Sequence, residues 1–148
     1  MQQLNQFSQT SDRGQIALRG EGNNLISVIV DATEVGTIKA GDLVVLSGSK
    51  GGLPTVKKAT GAEEVALGFA VYNIVQNEHK AGELLEVALS TVCMKMEASD
   101  AIETGSKVAY TALTGLVSST EDEGSAVGIA LTEAKSANDL LVVYIKTI

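Results

Sequence analysis

Aromatic residues are scarce in this sequence. Its 148 residues include no tryptophan, two phenylalanines and three tyrosines. A chain of this length is expected to form one domain. Its core must be built from Val, Leu, Ile and Ala, of which the β-branched members favour pleated sheets. A carbohydrate-binding β module on a virion or cell surface is an alternative function, but five aromatic residues leave few rings to stack on sugars.

Cysteine is rare, and long apolar runs are missing. Cys93 is the single cysteine, so no intrachain disulfide can form. No apolar run reaches the roughly 18 residues of a membrane-spanning helix, and we expect no membrane partner. The first residues have neither a basic segment nor an apolar segment of the signal-peptide kind. We therefore expect synthesis in a cytoplasm.

Positive charge is in deficit. Eleven Lys and Arg residues stand against 18 Asp and Glu residues, which gives a formal net charge of −7. Nucleic-acid backbones and anionic membranes repel such a surface, and no basic cluster offsets the repulsion. The composition excludes nucleic-acid binding and favours a partner with a basic surface.

Residues 1–24, called the arm below, differ in amino-acid composition from the rest of the chain. They contain five Gln and three Asn, and their apolar residues are isolated. Such a segment buries too little apolar surface to order itself. We interpret it as an extended arm that a partner orders, with a floppy terminus as the alternative. Its candidate contacts with a partner or with a second copy are Leu4, Phe7, Ile16 and Leu18.

From residue 25 onward the chain alternates short apolar runs with turn residues. Most runs are four to eight residues long, and Gly, Asn, Asp, Ser and Thr separate them. This rhythm is typical of all-β domains. We predict that residues 25–148 form a single small β-sandwich or β-barrel.

The same order of features occurs twice, at about residues 38–89 and 102–145. Gly68 and Gly128 each interrupt an apolar run, in VALGFAVYN and SAVGIALTEA. We predict two pseudo-repeated meander halves, in which these glycines mark bends or close backbone approaches rather than ligand contacts. Turns that precede strands are predicted at Gly41, Gly82, Gly105 and Asn138.

Candidate catalytic and metal-binding groups lack the necessary companions. The stretch around Lys50 does not match a phosphate-binding loop. His79 is the only histidine, and we interpret it as a solvated turn residue. Cys93 has no base nearby in the sequence. We expect no enzyme activity, no metal site and no cofactor.

Two acidic runs precede the glycine strands. They are Glu63-Glu64 and Glu121-Asp122-Glu123. Paired acids could serve a small hydrolase or bind calcium. Neither run has the spacing of a calcium loop, and a glycosidase of this length with so few aromatic residues would be unusual. We interpret both runs as solvated loop charge that also prevents pairing between the strands of different molecules.

The order of several short motifs resembles that of the capsid cement, or head decoration, proteins of tailed bacteriophages. The resemblance covers roughly residues 25–148. Its elements are Ala40-Gly41-Asp42-Leu43-Val44, Gly68-Phe69-Ala70 after Lys57-Lys58-Ala59-Thr60, Ala81-Gly82-Glu83 before Glu86-Val87-Ala88-Leu89, and the run at 126–131 before a closing strand at 140–145.

The resemblance implies a structural virion protein without enzymatic activity. It implies a homodimer or homotrimer on the outside of an icosahedral head, where it binds the major capsid protein and stabilises contacts between capsomers. It also implies, by position alone, that the arm takes part in this binding.

Overall fold

The computed structural model describes residues 13–18, 25–61, 65–73 and 75–146, which form strands, turns and bends with no helix. The all-β class predicted from the sequence is confirmed. No helix in these ranges is long and apolar enough to span a membrane. The strands are β1 Ile16–Leu18, β2 Leu25–Val30, β3 Ile38–Lys39, β4 Leu43–Lys50, β5 Leu53–Lys58, β6 Ala66–Ala70, β7 Glu78–His79, β8 Leu84–Ala88, β9 Val92–Glu97, β10 Lys107–Thr111, β11 Leu116–Ser119, β12 Ala126–Ala130 and β13 Leu140–Ile145.

The strands form two larger assemblies. In the first half, residues 25–89, five strands close a barrel in the order β2-β5-β4-β6-β8. In the second half, residues 92–145, five strands join β1 of the arm in a sheet ordered β1-β9-β13-β12-β10-β11. A parallel bridge between Ala98 and Val117 brings β9 and β11 together, as β5 pairs in parallel with β2 in the barrel. A separate two-stranded sheet joins β3 and β7.

Turn hydrogen bonds correspond between the two halves. Gly41 donates its backbone N–H to Ala70 O at 2.8 Å, and Gly105 donates to Ala130 O at 2.7 Å. The left-handed φ of 85° at Gly82 has its counterpart in Asn138, at 70°. These turn positions favour residues that tolerate positive φ, which accounts for Gly and Asn there.

Gly68 and Gly128 occupy matching positions of close backbone approach. A Cβ at Gly68 would lie 2.2 Å from Ala88 O, and one at Gly128 would lie 2.2 Å from Tyr144 O. A register shift adjoins each glycine, where β4 pairs with β6 and where β10 pairs with β12. Each glycine therefore sits beside a bulge that brings its strand against the next one.

The apolar interior is formed by strands along which buried residues alternate with more exposed ones. In β13, Leu141, Val143 and Ile145 are buried and alternate with half-buried residues. One cluster fills the barrel and includes Val44 and Val56. The other cluster contains residues of both halves together with Ile16 of the arm. This second cluster therefore packs the two halves against each other.

Candidate functional site

Arg13 fixes the arm to the seam between the two halves. Its Nη1 donates to Ala40 O at 2.7 Å and to Asp42 Oδ1 at 3.0 Å. Its Nη2 donates to Gly41 O at 3.0 Å and to Gly115 O at 2.8 Å. The first three partners belong to the turn before β4, and Gly115 belongs to the turn between β10 and β11. One guanidinium thus holds the arm and both halves together.

The turn before β4 is built to receive this cation. Asp42 is buried, and its Oδ2 accepts the backbone N–H of Lys39 at 2.8 Å. Lys58 Nζ lies 3.8 Å from the same oxygen. A buried carboxylate is costly unless it is paired and hydrogen-bonded, and here both oxygens are satisfied.

Gly14 allows the arm to approach the turn closely. Its φ is +80°, and an added Cβ would lie 2.4 Å from the backbone nitrogen of Gly41. Gly14 donates its N–H to Lys95 O at 2.7 Å, while its own carbonyl accepts the N–H of Tyr72 at 3.0 Å. A larger residue here would separate Arg13 from its partners. The Arg13-Gly14 pair therefore acts as a unit.

Tyr110 reinforces the seam beside Arg13. Its hydroxyl oxygen accepts the backbone N–H of Leu43 at 3.2 Å. Its ring meets that of Phe69 edge to face, with 5.2 Å between centroids. Burial raises the pKa of the Tyr110 hydroxyl. The two halves are thus joined by packing and by a directed hydrogen bond.

Arg13 lines one groove, and a second groove shares two lysines with the first. The arm groove, of about 700 Å³, is lined by Arg13, Lys39 and Lys58 among others. The apolar groove, of about 530 Å³, shares the two lysines and is lined also by Val35 and Leu113. Val35 is 99% exposed and Leu113 is 89% exposed. Apolar side chains exposed together beside an anchored arm suit a docking surface.

The predicted arm contacts fall in different places. Leu4 and Phe7 lie outside the described residues. Ile16 is only 7% exposed and packs in the chain's own core, so its side chain offers no surface to a partner here. Leu18 pairs with Cys93 through β1 and β9. Sequence reasoning missed Arg13, although the arm contains two arginines that are each followed by glycine, Arg13-Gly14 and Arg19-Gly20, and this repeated pair was a usable signal.

His79 corrects one expectation. It was predicted to be a solvated turn residue, but it lies in β7 and is only 5% exposed. Its exposed neighbours Glu78 and Lys80 flank a residue that points inward, as the alternation of a strand dictates. Its Nδ1 is buried and has no hydrogen-bond partner among the described residues.

The other candidate chemical groups have local partners. Asp122 Oδ2 accepts Ser125 Oγ at 2.7 Å, and this bond lowers the pKa of Asp122. Glu123 pairs with Lys107. Burial raises the pKa of the Cys93 thiol, which disfavours the thiolate. Glu63 and Glu64 lie outside the described residues, and no group of three or more potential metal ligands occurs in the described part.

A solved structure shares this architecture. The crystal structure of the N base of head fiber gp8.5 from bacteriophage phi29 has a TM-score of 0.53 and is 20% identical in sequence. The match covers 82% of this chain and 93% of that chain. At this level of identity the likeness shows a common fold. A search of curated proteins gave no match.

The sequence model of the phage cement proteins matches residues 21–146. With the all-β fold, this match defines the chain as a structural, capsid-associated protein of a phage virion. It belongs to the phage cement protein family, which is in general non-enzymatic.

Proposed function

We propose that this protein binds the outer surface of an icosahedral phage head and stabilises contacts between capsomers of the major capsid protein. The observation that carries the proposal is the Arg13 clamp, which fixes the middle of the arm at the seam between the halves. An arm anchored there can reach a partner while the β domain stays rigid. The adjoining apolar groove adds a second contact surface.

Stabilisation follows from selective binding. A protein that binds the assembled shell better than separated capsomers shifts the equilibrium toward the shell. A homodimer or homotrimer would engage several equivalent sites at once, and such linkage raises avidity by about 10²–10⁴-fold. The negative charge of the chain favours basic surfaces on the capsid.

The first experiment compares phage heads with and without the protein. We expect electron microscopy to show added density on the outer surface of heads incubated with it, and we expect those heads to resist heating better. Co-sedimentation measures the affinity. If the heads neither retain the protein nor gain stability, the proposed function is wrong.

Substitutions at the apolar groove locate the contact. Val35→Ser combined with Leu113→Ser removes two exposed apolar side chains, and burial of such groups contributes about 1.5–3 kcal/mol each. We expect affinity for heads to fall by at least about 100-fold if both side chains are buried at the contact. Val75→Ser is the matched control, because Val75 is also highly exposed but does not line this groove. Equal binding by all variants would place the contact elsewhere.

A truncation tests the arm. Removal of all 24 residues would also delete the Arg13 clamp and β1, so it would disturb the fold as well as binding. Removal of residues 1–12 keeps both. We expect the shorter protein to retain its thermal stability and to bind heads more weakly. Unchanged binding would show that these residues are a passive tail.

A further inference from the structure

The turn that receives Arg13 has a counterpart in the second half. Residues 39–42 form the turn before β4, and residues 103–106 form the turn before β10. Gly41 and Gly105 have φ of 88° and 90°. In each turn the fourth residue donates its backbone N–H to the carbonyl of the first, at 3.0 and 3.1 Å. The second turn therefore presents its carbonyl oxygens in the arrangement that binds Arg13 at the first turn.

The two turns differ in what covers them. A Cβ added at Gly41 would lie 2.6 Å from Cγ of Arg13, whereas a Cβ added at Gly105 would meet no atom of the described residues within 4 Å. Gly105 lines a groove of about 720 Å³, called the acidic groove below, which is similar in volume to the arm groove. The place that Arg13 fills in the first half is thus open in the second half, as far as the structure describes the chain.

The acidic groove has an excess of carboxylates. The charged residues of its lining are Glu103, Glu121, Glu133, Lys107 and Lys135. Lys107 pairs with Glu123, which lies outside the lining. One lysine therefore remains against three carboxylates. A guanidinium that entered the groove could bind both these carboxylates and the carbonyl oxygens of the turn, since its donors form a planar fork.

Two of these carboxylates stand at opposite positions. Antiparallel pairing at the bridge between Ile102 and Ala134 places Glu103 opposite Glu133. The corresponding pair in the first half is a lysine of β3 and a glutamate of β7, whose charged atoms are 3.6 Å apart. Like charges at opposite positions are destabilising. An incoming cation would relieve this repulsion in the second half.

The chain contains a second example of the pair that its first turn binds. Its only two arginines are Arg13 and Arg19, and each is followed by glycine. Glycine is required beside Arg13, because a Cβ at Gly14 would lie 2.4 Å from the backbone nitrogen of Gly41. Arg19-Gly20 combines the same two properties, a planar cation and a neighbour without a Cβ.

We propose that Arg19-Gly20 of a second copy of this chain binds in the acidic groove. Its guanidinium would lie over Gly105 as that of Arg13 lies over Gly41. Each chain offers one such groove and one such pair, which is the stoichiometry of a closed dimer or ring. The inference goes beyond the proposed function, because it concerns the contact between copies and needs no phage head.

The positions of β1 and of the acidic groove favour a second copy over the same chain as the source of the arginine. Leu18, the residue before Arg19, pairs with Cys93, whereas a parallel bridge joins β11 to Ala98, five residues further along β9. Ser119 of the groove lining lies two residues further in the same direction. At about 3.3 Å per residue, this separates Leu18 from the groove by about 20 Å. Across the sheet, β9, β13 and β12 lie between β1 and β10.

Charge reversal on either side of the contact tests the proposal. Sedimentation velocity of the unaltered protein should show a dimer or a trimer. Arg19→Glu and Glu103→Arg should each raise the dissociation constant between copies at least about tenfold, because each sets like charges against one another. Arg19→Lys keeps the charge without the planar fork, so it should weaken association less than Arg19→Glu does.

A mixture of the two reversed variants makes the test independent of how each behaves alone. In the mixture the two introduced charges meet each other, and the native Arg19 of one chain meets the native Glu103 of the other. We expect association to return toward that of the unaltered protein. Glu86→Arg is the matched control, because Glu86 is exposed and lies outside the groove lining. It should leave association unchanged.

The outcomes distinguish this inference from the proposed function. An unaltered protein that is monomeric at every concentration would overturn it, whether or not the protein binds heads. An oligomer that resists both reversals, or reversed variants that stay apart when mixed, would place the contact between copies elsewhere. A monomer that both reversals destabilise, and that the double variant restores, would identify the same chain as the source of the arginine. Loss of head binding by Glu103→Arg with association unchanged would identify the capsid protein as the occupant, which also overturns the proposal.

Discussion

The two halves of the molecule share a pattern of strand pairing but differ in what lies against it. Strand β9 pairs with β1 of the arm along its edge, whereas the pairing of β2 with β5 covers only Ile29 and Val30 in the described part of the chain. The strands of the first half form a closed barrel. In the second half the ends of β9 and β11 are joined by a parallel bridge between Ala98 and Val117. The repeated pattern supplies the scaffold, and the departures from it supply the features that can serve an assembly.

The turns before β4 and β10 show the same contrast in one residue. Asp42 follows Gly41 in the first half and binds Arg13, while Ser106 follows Gly105 in the second half. The backbone hydrogen bonds of the two turns match. The arm is therefore placed by a side chain that only one half has, and the predictions below compare equivalent positions.

The largest effect is expected at the paired glycines. Gly68→Ala and Gly128→Ala each place a Cβ 2.2 Å from a carbonyl oxygen of the neighbouring strand. Because both clashes involve backbone, each variant should lose at least about 3 kcal/mol of unfolding free energy or fail to fold. Urea unfolding of the two variants measures whether the halves respond alike.

Gly36→Ala is the control for this prediction. An added Cβ at Gly36 meets nothing within 4 Å, and its φ is not in the left-handed region. We expect a change of less than about 0.5 kcal/mol. If Gly68→Ala or Gly128→Ala were as mild as the control, the close approach of the strands would be wrong.

The second effect is expected at the arm clamp. Asp42→Ala leaves the partly buried Arg13 without its ionic partner, and loss of one member of such a pair costs about 3 kcal/mol. Ser106→Ala, at the equivalent turn, should cost less than about 1 kcal/mol. Chemical denaturation gives both values. Equal losses would mean that the clamp does not distinguish the halves.

Much of the fold could be predicted because its signals are local. Alternation and turn residues indicate strands, and positive φ at Gly41, Gly105 and Asn138 accounts for the residue types at these turns. The contacts of the candidate site are not local. Arg13 binds residues 27 and 102 positions away, and no periodicity in the sequence encodes such partners.

The interpretation of His79 failed for a different reason. Its charged neighbours suggested a solvated turn, yet His79 ends a two-residue strand with its side chain buried, while Glu78 before it and Lys80 after it are exposed. The glycines at 68 and 128 show the opposite case. Their repeated sequence context predicted a close approach of two backbone segments. At each glycine the atom nearest to an added Cβ is a backbone carbonyl oxygen of the neighbouring strand.

The smallest effect concerns the response of the two halves to acid. In the first half, hydrogen bonds from Ser47 and Thr33 lower the pKa of Asp31 to about 2. In the second half, Ser125 lowers the pKa of Asp122 in the same manner. An unfolded aspartate has a pKa of about 3.9, so each group contributes stability above that pH and loses it as the pH falls through its folded value.

Removal of each serine tests this pair of carboxylates. Ser47→Ala should raise the pKa of Asp31 toward its ordinary value and leave Asp122 unchanged, and Ser125→Ala should do the reverse. Carboxyl titration by NMR reads both groups in each variant. Because the raised pKa reduces the difference between folded and unfolded states, each variant should also lose less stability than the unaltered protein between neutral and acid pH. An Asp31 pKa that stays at about 2 in Ser47→Ala would show that the bonds from Thr33 account for the shift without Ser47.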